Sequence, residues 1–230
     1  MDKSKIKVIG FDADDTLWVN ETYFREAEHK FAQLLSSYET ENKIDQELFK
    51  MEMKNLDVYG YGVKGFMLSM IESAIDLSNG KIPSTVISEI IALGKEMIER
   101  PVELLDHVEM VLEELSKKYR LIVLTKGDLL DQERKVEKSG LSTYFHHIEV
   151  LSDKKENNYL SLLEHLEIPV SEFVMIGNSL KSDVLPIINI GAQAMHVPFH
   201  TTWAHEEVSP QEDNGNYITV NSIKGVLDYL

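Results

Sequence analysis

The chain has 230 residues, 39 acidic and 23 basic, for a formal charge of −16, with 43% hydrophobic residues and no cysteine. That length and composition support a real hydrophobic core and exclude a disordered chain, while the charge argues against a nucleic-acid polymer or an anionic membrane as partner. The lack of thiols excludes disulfides, thiolate zinc sites and cysteine nucleophiles, as expected of a cytoplasmic protein. The leading MDKSKIKVIGFDADD holds an apolar run too short for a signal peptide and too charged to span a membrane.

In chain order, Ile6 to Phe11 reads as a buried strand that stops abruptly at Asp12. From Trp18 to Arg100 no buried strand is expected, and apolar residues keep helical spacing. Phe24, Ala27, Phe31, Leu34 and Leu35 form one stripe. Ile44, Leu48 and Met51 form a second; Phe66, Met67, Met70, Ile71, Ala74 and Ile75 a third; Val86, Ile87, Ile90 and Ile91 a fourth. Gly60-Tyr61-Gly62 and Asn79-Gly80 to Pro83 read as turns between them. Beyond Pro101, short apolar runs alternate with helical patterns. The runs are Leu121–Leu124, Ile148–Leu151, Phe173–Ile176, Ala192–Val197 and the weaker Tyr217–Val220. The helical stripes include Val108, Val111, Leu112 and Leu115, then Leu160 with Leu163, then Val184, Ile187 and Ile188. Such alternation predicts an α/β fold, a doubly wound parallel-sheet (Rossmann-like) core made of residues 1–17 and 101–230, interrupted by an all-helical insertion at 18–100. The insertion carries −5 of the formal charge.

Ligands of open parallel sheets bind beyond the carboxyl ends of the strands, so what each strand delivers there matters most. The first delivers Asp12-Ala13-Asp14-Asp15-Thr16. Three carboxylates in four residues repel one another unless a cation sits among them, and a hard divalent ion such as Mg²⁺ suits oxygen ligands. Taken alone, a solvated acidic turn explains the same residues. The second strand ends in Thr125-Lys126-Gly127, whose hydroxyl and glycine-turn amides suit phosphate oxygens but also ordinary turn chemistry. The third is followed by Asp153-Lys154-Lys155, and the fourth by Gly177-Asn178-Ser179-Leu180-Lys181-Ser182-Asp183. There the glycine reads as a sharp turn and Asp183 falls early in the next helix.

The order of these motifs is far more specific than any one of them. A strand ending in DxDxT, a strand ending in Thr, a Lys, and a strand ending in GNxxxxD together resemble the haloacid dehalogenase-like hydrolase superfamily. The likeness covers roughly residues 1–17 and 101–200. The insertion matches the place of that superfamily's helical cap. The resemblance implies a Mg²⁺-dependent phosphatase for a small phosphorylated metabolite. Asp12 would be the nucleophile that forms an aspartyl-phosphate, and Asp14 the general acid and then base. Mg²⁺ would be held by the Asp12 carboxylate, the Asp14 carbonyl and Asp183. Thr125 and Lys154 would bind phosphoryl oxygens, with Lys126 and Gly127 beside them, and Lys155 is the alternative to Lys154. Two positions depart from the pattern: Asn178 stands where an acid is usual, which adds no charge and suits contact through water, and Asp15 stands where Gly is common.

A phosphomutase shares this chemistry. A catalytically weak member that binds a phosphorylated ligand or plays a regulatory part has only Asn178 in its favour. A receiver domain would need a phospho-accepting Asp on a middle strand, and the nearest candidate, Asp57, follows no strand pattern. The histidine- and Trp-containing segment 196–205 matches no zinc spacing and reads as loop packing. Trp18 and Tyr23 suit either the substrate entrance or hinge packing. Glu206 to Asp213 adds four negative charges, whereas Lys126, Lys154, Lys155 and Lys181 gather at the expected phosphate end. Nothing in the sequence names the substrate or an oligomeric state.

Overall fold

The computed structural model describes residues 3–209 and 215–230. Glu212 and Asp213 of the acidic run lie outside them. The described chain forms two compact units: residues 1–21, 102–126 and 133–230 make one, and residues 22–101 with 127–132 make the other.

The first unit is built on a parallel sheet of six strands in the order β3-β2-β1-β4-β5-β6. These are β1 (Val8–Phe11), β2 (Arg120–Lys126), β3 (His147–Leu151), β4 (Phe173–Gly177), β5 (Gln193–His196) and β6 (Ile218–Thr219). β1 and β4 are buried along their whole length. Both faces of the sheet are covered, which is why these strands read as unbroken apolar runs. Alternate side chains feed two separate cores. Ile9, Phe11, Leu121, Val123, Val174 and Ile176 join one, and Val8, Ile122, Leu124, Phe173 and Met175 join the other. The helices of this unit are α5 (Val108–Ser116), α7 (Glu156–His165) and α8 (Leu185–Asn189), with α6 (Leu129–Ser139) crossing the unit boundary. The α5 stripe is buried as its spacing predicts. On α7 the phase differs from the expected one: Tyr159, Leu162 and Leu163 face inward while Leu160 stays exposed.

Residues 18–21 belong to the sheet unit rather than to the helices. Trp18 is buried in its core, and Val19 N–H donates to Glu103 O at 2.9 Å. The expected boundary before Trp18 therefore lies a few residues too early in space, because a large aromatic side chain is anchored there.

The second unit contains α1 (Glu21–Leu34, from its second residue), α2 (Glu41–Tyr59), α3 (Val63–Leu77) and α4 (Ser84–Glu99). Phe31, Leu35, Ile44, Leu48, Met70, Ala74 and Ile90 are fully buried in its core, each contributing about 2 kcal/mol where a large side chain leaves water. The turns at Gly60–Gly62 and Asn79-Gly80 carry positive φ angles. On α3 the expected stripe is off by one position: Ile75 is 42% exposed, and Ser69 and Ser73 are buried instead. Ser69 is satisfied there, donating to Gly65 O at 2.9 Å and accepting from Asn55 Nδ2 at 3.1 Å. Residues 127–132 group with this unit, in which Lys64 pairs with Asp128 at 2.8 Å. Among the described residues no helix is long and apolar enough to cross a membrane.

Candidate active site

Asp12 follows the last residue of β1, between β2 and β4, and its N–H donates to Ile176 O at 2.9 Å. Around it the sheet unit brings together Lys154 and Asp183, both almost fully buried. Lys154 Nζ lies 2.5 Å from Asp12 Oδ1 and 2.7 Å from Asp183 Oδ1. Thr16 Oγ1 donates to Asp12 Oδ2 at 2.9 Å. Two buried carboxylates thus share one ammonium. Burial, then the Asp183 charge, push the Asp12 carboxyl up to about 7 despite Lys154. Burial alone would lower Lys154, but the two carboxylates outweigh it and hold the ammonium charged. Lys155, by contrast, is exposed and pairs with Asp153 at 2.7 Å.

Asp14 is held from two sides. The Trp18 indole N–H donates to its Oδ1 at 2.7 Å, and Lys135 Nζ on α6 donates to the same oxygen at 2.9 Å. Lys135 also reaches Asn20 Oδ1 at 2.8 Å. Trp18 is accordingly a core residue that orients Asp14. Next in the chain, Asp15 adopts φ 62°, the left-handed conformation that explains why glycine suits this position. Its carboxylate accepts from the backbone N–H groups of Asn20 and Glu21 at 2.8–3.1 Å, and burial pushes it up to about 7.

Asp183 stands in a π-helical turn, Leu180–Val184, and Ser179 N–H donates to its Oδ2 at 2.9 Å. Gly177 does not make a left-handed turn. A Cβ there would lie 2.3 Å from Asp183 Oδ2, so the glycine makes room for that carboxylate. Thr125 is the penultimate residue of β2, buried, two residues past the Val123 that pairs with Phe11. Lys126 points elsewhere: its Nζ donates to Ser182 Oγ at 2.9 Å and to Glu206 Oε1 at 2.6 Å. Gly127, with φ 133°, falls in the second unit. Lys181 donates to His205 O at 2.6 Å. Of the four lysines gathered by the sequence at this end, Lys154 is the one whose ammonium meets Asp12.

A family model described as haloacid dehalogenase-like hydrolase matches residues 6–191. The chain belongs to that family. It is similar to a haloacid dehalogenase-like family hydrolase from Xanthomonas campestris, with 38% identity, a TM-score of 0.86, and coverage of 96% of this chain and 88% of that one. It is 27% identical to N-acylneuraminate-9-phosphatase of Mus musculus over 205 residues, 84% of this chain and 83% of the relative. A 2-haloacid dehalogenase from Pseudomonas syringae shares the fold at a TM-score of 0.59, with 18% identity and 97% of both chains covered. That likeness shows the fold alone, so side chains at the strand ends must decide the chemistry.

The haloacid dehalogenase-like site is lined by hard oxygen donors. The Asn178 amide, with its NH₂ group turned inward, contacts Asp12 Oδ2, Asp14 O and Thr16 Oγ1, each at 3.2 Å. Two acceptors, a carboxylate and a backbone carbonyl, therefore converge on one point beside a region with excess negative charge. Among the described residues no three His, Cys, Asp or Glu side chains gather as a metal-binding group. The donor set here is two carboxylates plus a carbonyl, which fits a hard divalent cation. Sequence reasoning missed Lys135 and Glu206, whose partners lie far away in the chain, and the role of Trp18, whose indole meets Asp14 four residues before it.

Proposed function

We propose that the chain is a Mg²⁺-dependent phosphatase acting on a small phosphorylated metabolite. Asp14 carries this reading. A carboxyl group two residues beyond a strand-end aspartate, oriented by Trp18 and Lys135, suits protonation of an alkoxide leaving group, which halide displacement does not need. Asp12 attacks phosphorus, the ester P–O bond breaks, and Asp14 gives its proton to the departing oxygen. Asp14, now a carboxylate, takes a proton from water as that water attacks phosphorus. The Asp12–phosphorus bond breaks, releasing phosphate and the free carboxylate. Lys154 and Thr125 neutralise and hold the phosphoryl oxygens. Asp12, Asp183 and the Asp14 carbonyl would hold Mg²⁺, with Asn178 in contact through water. When bound, the ion supplies positive charge against the anionic substrate.

The helices of the second unit are the natural specificity cap in this reading, and the sheet unit, residues 1–21, 102–126 and 133–230, is the catalytic core. The N-acylneuraminate-9-phosphatase relatives make sugar-acid phosphates the first substrates to test. The assay is phosphate release from a panel of sugar phosphates, sugar-acid phosphates and nucleotides, with Mg²⁺ or EDTA. Release that requires Mg²⁺ and disappears in Asp12→Asn supports the proposal; a panel silent in Mg²⁺ overturns it.

A further inference from the structure

The family match stops at residue 191, yet the next segment sends one side chain back to the candidate site. After β5 the chain reaches a 3₁₀ turn, Ala204–Glu206. The Glu206 side chain is only 13% exposed. Its Oε1 accepts from Lys126 Nζ at 2.6 Å. Its Oε2 accepts from Ser182 Oγ at 2.6 Å and from Ser179 Oγ. The donors and acceptors close consistently: Ser182 Oγ accepts from Lys126 Nζ at 2.9 Å while donating to Glu206, and Ser179 Oγ accepts from Ser182 N–H at 3.0 Å.

These partners are the two hydroxyls of the turn that presents Asp183 and the lysine that follows Thr125. One carboxylate therefore ties two strand ends together. It also neutralises a half-buried ammonium adjoining Ser182, the neighbour of Asp183. An unneutralised ammonium there would oppose a cation, and a loosened turn would misplace a ligand; both effects act in the same direction. Second-sphere groups of this kind typically change metal affinity or activity by about 10–100-fold.

We propose that Glu206 is a positioning residue that sets the affinity of this site for a divalent cation, by fixing the Ser179–Ser182 turn and neutralising Lys126. The inference rests on the reading of Asp12 and Asp183 as cation ligands. Its test is Mn²⁺ binding, followed by electron paramagnetic resonance of the free ion, which needs no substrate or turnover. Wild type should bind one Mn²⁺, and Asp183→Asn should abolish that binding. Glu206→Gln should weaken it about tenfold or more, and the double variant Lys126→Met/Glu206→Gln should recover part of the loss. Ser182→Ala, which removes one hydroxyl and no charge, should weaken binding several-fold and decides the matter if Glu206→Gln does not fold. Wild-type affinity in folded Glu206→Gln, or in Ser182→Ala where the first variant is unfolded, overturns the role of Glu206 alone. Binding that survives Asp183→Asn, or none in wild type, overturns the cation reading and this inference together.

Discussion

Asp12→Asn should stabilise the metal-free protein while abolishing its proposed turnover. The perturbation is isosteric and removes one of two buried carboxylates that share the single ammonium of Lys154. Moving a carboxyl from 3.8 to about 7 corresponds to on the order of 4 kcal/mol for carrying its ionised form at pH 8. The amide oxygen still accepts from Lys154, but an ion pair becomes an ion–dipole contact and takes back part of the gain. The net expectation is about 2 kcal/mol, or roughly 5 °C in Tm for a chain of this size. Scanning calorimetry in EDTA at pH 8 reads it directly. Adding Mg²⁺ should then raise the wild-type Tm by ligand linkage and raise that of Asp12→Asn much less. A variant that melts at or below wild type in EDTA would refute the claim that two charges are in excess of one partner.

Gly177→Ala places a Cβ 2.3 Å from Asp183 Oδ2. It should cost about 1–3 kcal/mol in urea unfolding and lower kcat on the order of a hundredfold by displacing that carboxylate. Lys135→Met removes the ammonium 2.9 Å from Asp14 Oδ1; steady-state kinetics should show kcat falling about tenfold or more with KM little changed. Glu206 has a signature in acid. Burial would raise its carboxyl, but Lys126 and the serine hydroxyls outweigh that and hold it at about 2, against 4.5 in the unfolded chain. A depressed folded value means stability present above pH 4.5 and lost as pH falls toward 2, on the order of 3 kcal/mol in all. Equilibrium unfolding over that range should fall more steeply for wild type than for Glu206→Gln.

The strands were legible because a sheet covered on both faces needs continuous apolar runs, and each run stops where polar loop chemistry begins, as at Phe11–Asp12. The carboxylates and Lys154 were legible for a related reason, since they sit within a few residues of those stops. Lys154 and Lys155 could not be separated by pattern. The structure distinguishes them by packing: one is buried against Asp12 and the other lies in solvent. Periodicity located α3 and α7 but misplaced Ile75 and Leu160, because two buried serines and a tyrosine occupy the inward positions. Lys135 and Glu206 were out of reach altogether. Lys135 meets Asp14 121 residues away and Glu206 meets partners 24 to 80 residues away, and local spacing shows only a polar helix face and an acidic loop. Gly177 reads as a turn former because sequence shows a missing Cβ without showing what fills its place.

The central claim is that Asp12 accepts the phosphoryl group. Rapid-quench turnover of a ³²P-labelled substrate, followed by peptide mapping, tests it most directly. The account predicts a transient label on the peptide that contains Asp12, formed at least as fast as product and absent from Asp12→Asn. Steady release of phosphate with no labelled peptide, and with turnover surviving in Asp12→Asn, would contradict it.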